Sequence, residues 1–462
     1  GANIIVMIKD IDFDSDKALS VTGDLTIIGE QTISRGAYTG TLFTVPAGSS
    51  LTLDGGIVFD GSNNWIFDKA LYENDLYNRV DNPIAAYAYS AEGGTVGTAA
   101  AFVVNGTVTA NDATFRNFFS TKDSNAGDAA IFKVNANAVL DTNGALIDHN
   151  ATYGANTVAH LATNAKWYIQ GETMISNNFG GRNGGMCRND SGQIYMSGGT
   201  VKDNAGKNVN GTFIMMYGTG SAFYMTGGTI CGNSSVFGVN NGRCAAVYLH
   251  SGSYMKMTGG TICHNVGGSR GGIDSASTNS VLDINRKDQT FVDGVYANEN
   301  GKDAYTASNH PVIVDNVSLL QKPTNDVGHH YNSVDTWWVT GGIYTQDVDE
   351  FCAEGYICIP YTDTAREDDY IVVPGYRVKY YSVEKVETEK DVLDESGAVV
   401  GTEPVVELQT TLVYKYFHML PRDKFWYEMD EKAETFTLTR DDGAAIDTWF
   451  TEKELQNVYD FS

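Results

Sequence analysis

SGQIYMSGGTVKDN at 191–204 returns as GSAFYMTGGTICGN at 220–233 and as SGSYMKMTGGTICHN at 251–265. One unit repeated with drift, two strand-like runs per copy, predicts a chain that winds rather than one that closes into a globule. Aligned on Gly-Gly-Thr-x-x-x-Asn, five asparagines fall in file: Asn150, Asn177, Asn204, Asn233 and Asn265, spaced 27, 27, 29 and 32 residues apart. A looser copy, DGVYAN, extends the file to Asn298. Such gaps suit two or three short strands plus bends.

Within the motif the fourth position is always apolar: Ile147, Met174, Val201, Ile230, Ile262. The third, Leu146, Thr173, Thr200, Thr229, Thr261, alternates with it and is expected to face out. The asparagines either stack as an amide ladder between coils or serve left-handed bends. A second strand precedes each motif, from AIFKVNAN at 130–137 to IDSASTN at 273–279. Parallel stacking of these coils gives an all-β chain, a right-handed parallel β-helix. It is expected over 1–320, with an aromatic insertion at 62–98, a small β unit at 321–375 and a β-rich module at 376–462 carrying a hairpin turned at Ser396-Gly397.

Composition agrees with a solenoid. Of 462 residues 42% are hydrophobic, Gly is abundant at 50, and Pro, which removes ladder donors, is scarce at 8. The balance of 31 basic against 57 acidic side chains, net −26, argues against nucleic acid as a partner. No apolar run is long enough for membrane insertion, and a monomer is expected.

Several stretches of the sequence resemble a known class. IVMIKDIDF and TIIGEQTISRGAYTGTLFTVPAGSSLTLDGGIVFDG look like the opening of right-handed β-helix surface proteins of anaerobic Gram-positive bacteria. MTGGTICGN and MTGGTICHN resemble their inner coils and the polymorphic outer-membrane-protein type of repeat; GGIYTQDVDEFCAEGY is similar to a unit that often follows such coils. The resemblance covers about 1–375. It implies a secreted or cell-surface location and capture of host material, a mucin glycan or a protein such as a secreted immunoglobulin. It carries no catalytic motif onto this chain, because such repeats specify a scaffold.

Candidate sites follow from the files. Reading four positions back from each turn gives Lys133, His160, Arg188, Met216, Tyr248 and Ser275 as an outward column, with Asp190 and His250 two positions on. This file is a candidate binding face. By analogy with β-helix polysaccharide lyases, Arg188 or Lys133 would serve as the base and His160 would assist. A glycoside hydrolase would instead use paired carboxylates, for which Asp274, expected to point inward, and Asp283 are the candidates. The insertion offers Trp65, Tyr72 and Tyr77 for contacts, and GHHYNSVDTWW offers Trp337 and Trp338, unless these rings pack internally. No cofactor is expected. Ca²⁺ is the one ion for which a pattern exists, in the alternating Asp10, Asp12, Asp14 and Asp16 of DIDFDSD, a pattern that also fits a charged protective edge. Cys231 and Cys263 share a motif position on neighbouring coils, and Cys352 and Cys358 flank a turn; either pair forms a disulfide or stays reduced. Binding module, carbohydrate-active enzyme and inert spacer are the three functions compatible with these features.

Overall fold

The computed structural model describes residues 3–13, 16–67, 88–90, 93–121, 128–207, 209–236, 246–250, 252–268, 270–277, 279–285, 290–292, 295–297, 311–318, 326–329, 337–361, 369–393 and 397–418. Tyr72, Tyr77, Asp14 and Asn298 lie outside them.

The protein is a right-handed parallel β-helix. Each turn of chain visits three sheets in a fixed order. Sheet I stacks eleven strands, from Asn3–Val6 to Trp337–Val339. Sheet II begins at Ile11–Asp12 and continues through Ile343–Tyr344. Sheet III stacks ten strands, from Leu19–Ser20 to Val327–His329. From Phe119–Ser120 to Val317–Ser318, a short fourth sheet of seven strands lies between II and III in chain order. Stacking therefore continues past 320: Val327–His329, Trp337–Val339 and Ile343–Tyr344 add rungs to sheets III, I and II. Among the described residues no helix is long and apolar enough to cross a membrane.

Alternation along each strand builds the core. In sheet II the inward file is Phe59, Phe115, Ile147, Ile175, Val201, Ile230, Ile262 and Ile313, all buried. Each such side chain contributes about 1.5–3 kcal/mol by leaving water. Phe59 and Phe115 stack at 5.5 Å between centroids, as do Phe43 and Phe102 in sheet III.

The asparagine file is a ladder, and it is displaced at one rung. Asn150, Asn178, Asn204, Asn233, Asn265 and Asn316 are buried, each Nδ2 donating to the next Oδ1 at 2.9 Å along the first five. Each Oδ1 also takes the backbone N–H of the preceding asparagine, so an inward bend has its donors satisfied without water. Asp326 ends the file, accepting from Asn316 N and Nδ2 at 3.1 Å on one oxygen and from Thr345 N and Oγ1 at 2.7 Å on the other.

Asn177 is not in this ladder. It occupies the bend before it, with φ 52°, in a left-handed file with Asn117, His149, Asp203, Gly232, His264 and Asp315. The coil from 150 is thus one residue longer than motif alignment implies, and a one-residue slip exchanges faces. Ile175, not Met174, points inward; Thr173 is buried at the turn, its hydroxyl 2.7 Å from Thr142 O.

A second compact unit takes in the described residues from Val373 onward. Within it an antiparallel hairpin joins the strands Asp369–Leu393 and Val399–His418, paired from Gly375↔His418 to Leu393↔Val399. Gly397 holds φ 82° at the connection, a left-handed geometry that suits the turn expected there.

Candidate functional site

The two long outward files, on sheets III and I, differ in access. In sheet III backbone register gives Lys133, His160, Arg188, Met215, Tyr248 and Asp274. Met216 and Ser275 belong instead to the adjacent inward file, because two of the turns that follow are a residue longer than their neighbours. Asp274, expected inward, occupies the outward register and is nonetheless buried.

This face is covered. Tyr248 is 0% exposed, packed with Met215 and Ala276. His160 Nε2 lies 3.1 Å from Asp190 Oδ2, and Arg188 Nε donates to Asp190 Oδ1 at 2.7 Å. The Arg188 guanidinium sits 4.1 Å over the Tyr217 ring, which stacks on His250 at 5.2 Å. Lys133 pairs with Asp128 at 3.2 Å. Burial works against the Asp190 charge, but hydrogen bonds and charge from His160 and Arg188 prevail and hold it below the usual carboxylate range. The Arg188 guanidinium is engaged by a carboxylate on its edge and by an aromatic ring on its face. The cluster is an internally neutralised brace. His160 and Tyr248, expected to face solvent, are instead buried.

Other candidates also move inward. Trp65 is buried against Phe119, Ala151, Phe179 and Ala205, stacks on His149 at 4.4 Å and donates Nε1–H to His149 O at 2.7 Å. It covers the apolar outer side of the fourth sheet rather than offering a contact surface. Among the described residues of DIDFDSD, Ile11–Asp12 form a two-residue strand; Asp10 Oδ1 accepts Thr32 N–H, while Asp12 and Asp16 are exposed. These carboxylates do not converge among the described residues. Asp274 and Asp283 stand on sheets III and I, so they frame no common cleft wall. Cys352 Sγ and Cys358 Sγ both contact the Val348 backbone, and Cys231 Sγ and Cys263 Sγ approach to 2.6 Å as in-register neighbours, all as thiols.

Sheet I carries the accessible file: Asp141, Tyr168, Tyr195, Tyr224, Lys256, Asp283 and Trp338. Tyr168 and Tyr195 stack at 5.1 Å and 15°, Tyr195 and Tyr224 at 5.0 Å and 10°; Tyr254 joins at 5.7 Å. Ring faces are spent on one another, leaving edges and hydroxyls toward solvent. Flanking groups are ordered: Gln170 donates to Asp141, Tyr195 donates to Gln193, and Tyr254 and Lys256 both reach Asp283 Oδ2 at 3.2 Å. Partial burial and neighbouring tyrosines raise the Tyr195 hydroxyl, and burial beside Asp283 takes Tyr254 to about 12. Tyr195 and Tyr254 therefore present neutral hydroxyls, both donors and acceptors, across the physiological range. Trp338, 48% exposed, closes the row and Trp337 is buried beside it. The signal was in the sequence: Tyr-Met stands before two Gly-Gly-Thr turns and Tyr-Ile in KWYIQ. YMKM hides it, because its Tyr254 falls two residues out of file.

No family model, curated protein or solved structure matches this chain.

Proposed function

We propose that this chain is a non-enzymatic binding module of a bacterial cell surface that captures a host macromolecule, and that it takes an extended, neutral glycan along sheet I. The observation that carries this reading is the row from Asp141 through Tyr168, Tyr195 and Tyr224 to Trp338. Its hydroxyl, amide, ammonium and carboxylate groups repeat at the rung spacing of about 4.8 Å. That spacing is close to the rise of one sugar unit in an extended chain, so successive sugars meet equivalent hydrogen-bonding groups. Net charge of −26 and the pairing of Lys256 with Asp283 favour an uncharged glycan over an acidic one. Surface location and host origin rest on the likeness of residues 1–375 to bacterial surface β-helices. Catalysis draws no support from the braced Arg188 or the separated Asp274 and Asp283.

The test is a glycan array read with the parent chain and with Tyr195→Phe/Tyr224→Phe. The variant keeps the stack and loses two hydroxyls, so affinity for a neutral glycan should fall about tenfold, from roughly 0.5–1.5 kcal/mol per bond, with unchanged melting. Equal binding by both proteins, or retention of acidic glycans only, contradicts the assignment.

A further inference from the structure

Two rungs from the end of the motif array, at the sheet II bend, thiols and imidazole come together. Among the described residues one group of three or more Cys, His, Asp or Glu brings its ligand atoms within mutual reach: Cys231, Cys263 and His264, all within 4.8 Å of one another. Backbone pairing explains the proximity. Thr229↔Thr261, Ile230↔Ile262 and Cys231↔Cys263 are facing partners on adjacent rungs. Two residues later the Asn233–Asn265 amides lock the same rungs at 2.9 Å. The thiols are therefore held by two rigid strands and a buried ladder, a preorganised pair.

The left-handed bend supplies the rest. His264 holds φ 50° between Cys263 and Asn265, its side chain 63% exposed and its Nδ1 3.9 Å from Asp315 Oδ2 on the next rung. On the previous rung the same bend position is Gly232, φ 68°. A Cβ there would meet Asp203 Oδ1 at 3.3 Å, so the missing side chain leaves room for that carboxylate at the bend. Asp203 and Asp315 thus stand at this bend on the rungs before and after the thiol pair. Lys202, exposed in the thiol file one rung earlier, offsets only part of that field.

We propose that Cys231, Cys263 and His264 form a binding site for a borderline divalent metal of the zinc class, with Asp315 as the fourth ligand or as the acceptor that orients the imidazole. Two sulfurs and a nitrogen select zinc over hard calcium or magnesium. Bonds of about 2.0–2.3 Å in a tetrahedron put ligand atoms roughly 3.3–3.8 Å apart. The present separations among these three ligand atoms, from 2.6 Å between sulfurs to 4.8 Å at most, bracket that value. The exposed histidine places the ion at the surface, joining two rungs as a clip. This site is independent of the sheet I row, and either can fail without the other.

The probe is Co²⁺ added to the full chain after reduction and removal of reductant, followed by displacement with Zn²⁺. One equivalent should give a thiolate-to-cobalt charge-transfer band with intense tetrahedral d–d bands, bleached by one equivalent of zinc. Cys231→Ser and Cys263→Ser should each abolish the band while far-ultraviolet circular dichroism stays unchanged. His264→Ala should weaken zinc binding by at least about tenfold, and Asp315→Asn by less, as expected when an imidazole or its orienting partner is lost. Zinc should also slow formation of a Cys231–Cys263 cross-link in air. A band absent from the reduced chain, one that survives either serine substitution, or a cross-link forming equally fast with and without zinc overturns the proposal.

Discussion

Sheets I and III are built by the same rule and end with opposite uses. Both alternate apolar side chains inward and polar or aromatic ones outward on successive rungs. On sheet III the outward file includes Tyr248 and Asp274, both at 0% exposure, with Tyr248 packed against Met215 and Ala276 and 6.2 Å from the His250 ring. On sheet I the outward tyrosines remain half-exposed and ordered by one another. Outward by periodicity is thus a statement about the sheet, not about solvent. What decides access is whether neighbouring segments and turns fold back over the file.

The contrast predicts unequal costs for the same substitution. Tyr248→Ala should destabilise by about 3–5 kcal/mol, the range for removing a buried aromatic. Tyr195→Ala should cost only about 1–2 kcal/mol, chiefly lost ring stacking on two sides. Equal costs in urea unfolding would erase the distinction between the faces.

The smaller effects are pH-dependent and carry opposite signs. Asp190 is held below the ordinary carboxylate range, so its contribution is complete above about pH 3.9 and is lost as pH falls further. Asp326, at the ladder end, is raised to about 6 by burial, against opposing hydrogen bonds from Thr345 and Asn316. The folded chain then keeps a proton that the unfolded chain releases between about pH 4 and 6, and stability declines as pH rises across that window. Asp190→Asn should remove the acid-side loss, and Asp326→Asn should flatten the profile from about pH 4 to 6. Melting curves across the range separate the two.

Much of this architecture is legible before coordinates. Ile147, Val201, Ile230 and Ile262 share the inward file, and Asn150, Asn204, Asn233 and Asn265 the ladder, as the motif spacing requires. Errors arise wherever a turn changes length by one residue. In Ser-Asn-Asn, at 176–178, two adjacent amides compete for the ladder, and only the backbone shows that the first takes the left-handed bend. The same one-residue ambiguity exchanged Met215 with Met216 and Asp274 with Ser275. Coverage of a face is harder still to read, because the covering groups of Tyr248 and His160 come from turns and from other rungs. The tyrosine row was readable as Tyr-Met before Gly-Gly-Thr, but it lies outside the file that the turn residues single out.

The most direct test of the stacked-file account is a comparison of adjacent asparagines by urea unfolding. Asn178→Ala strips an acceptor from the ladder, leaving the buried Asn150 N–H without its acceptor and Nδ2 with only Phe115 O and Asp148 O, and should cost about 2–4 kcal/mol. Asn177→Gly keeps the left-handed bend and should stay within about 0.5 kcal/mol of the parent. A large loss at Asn177 with Asn178 silent would place the amide file, and every surface built on its register, one residue away from where the structure has it.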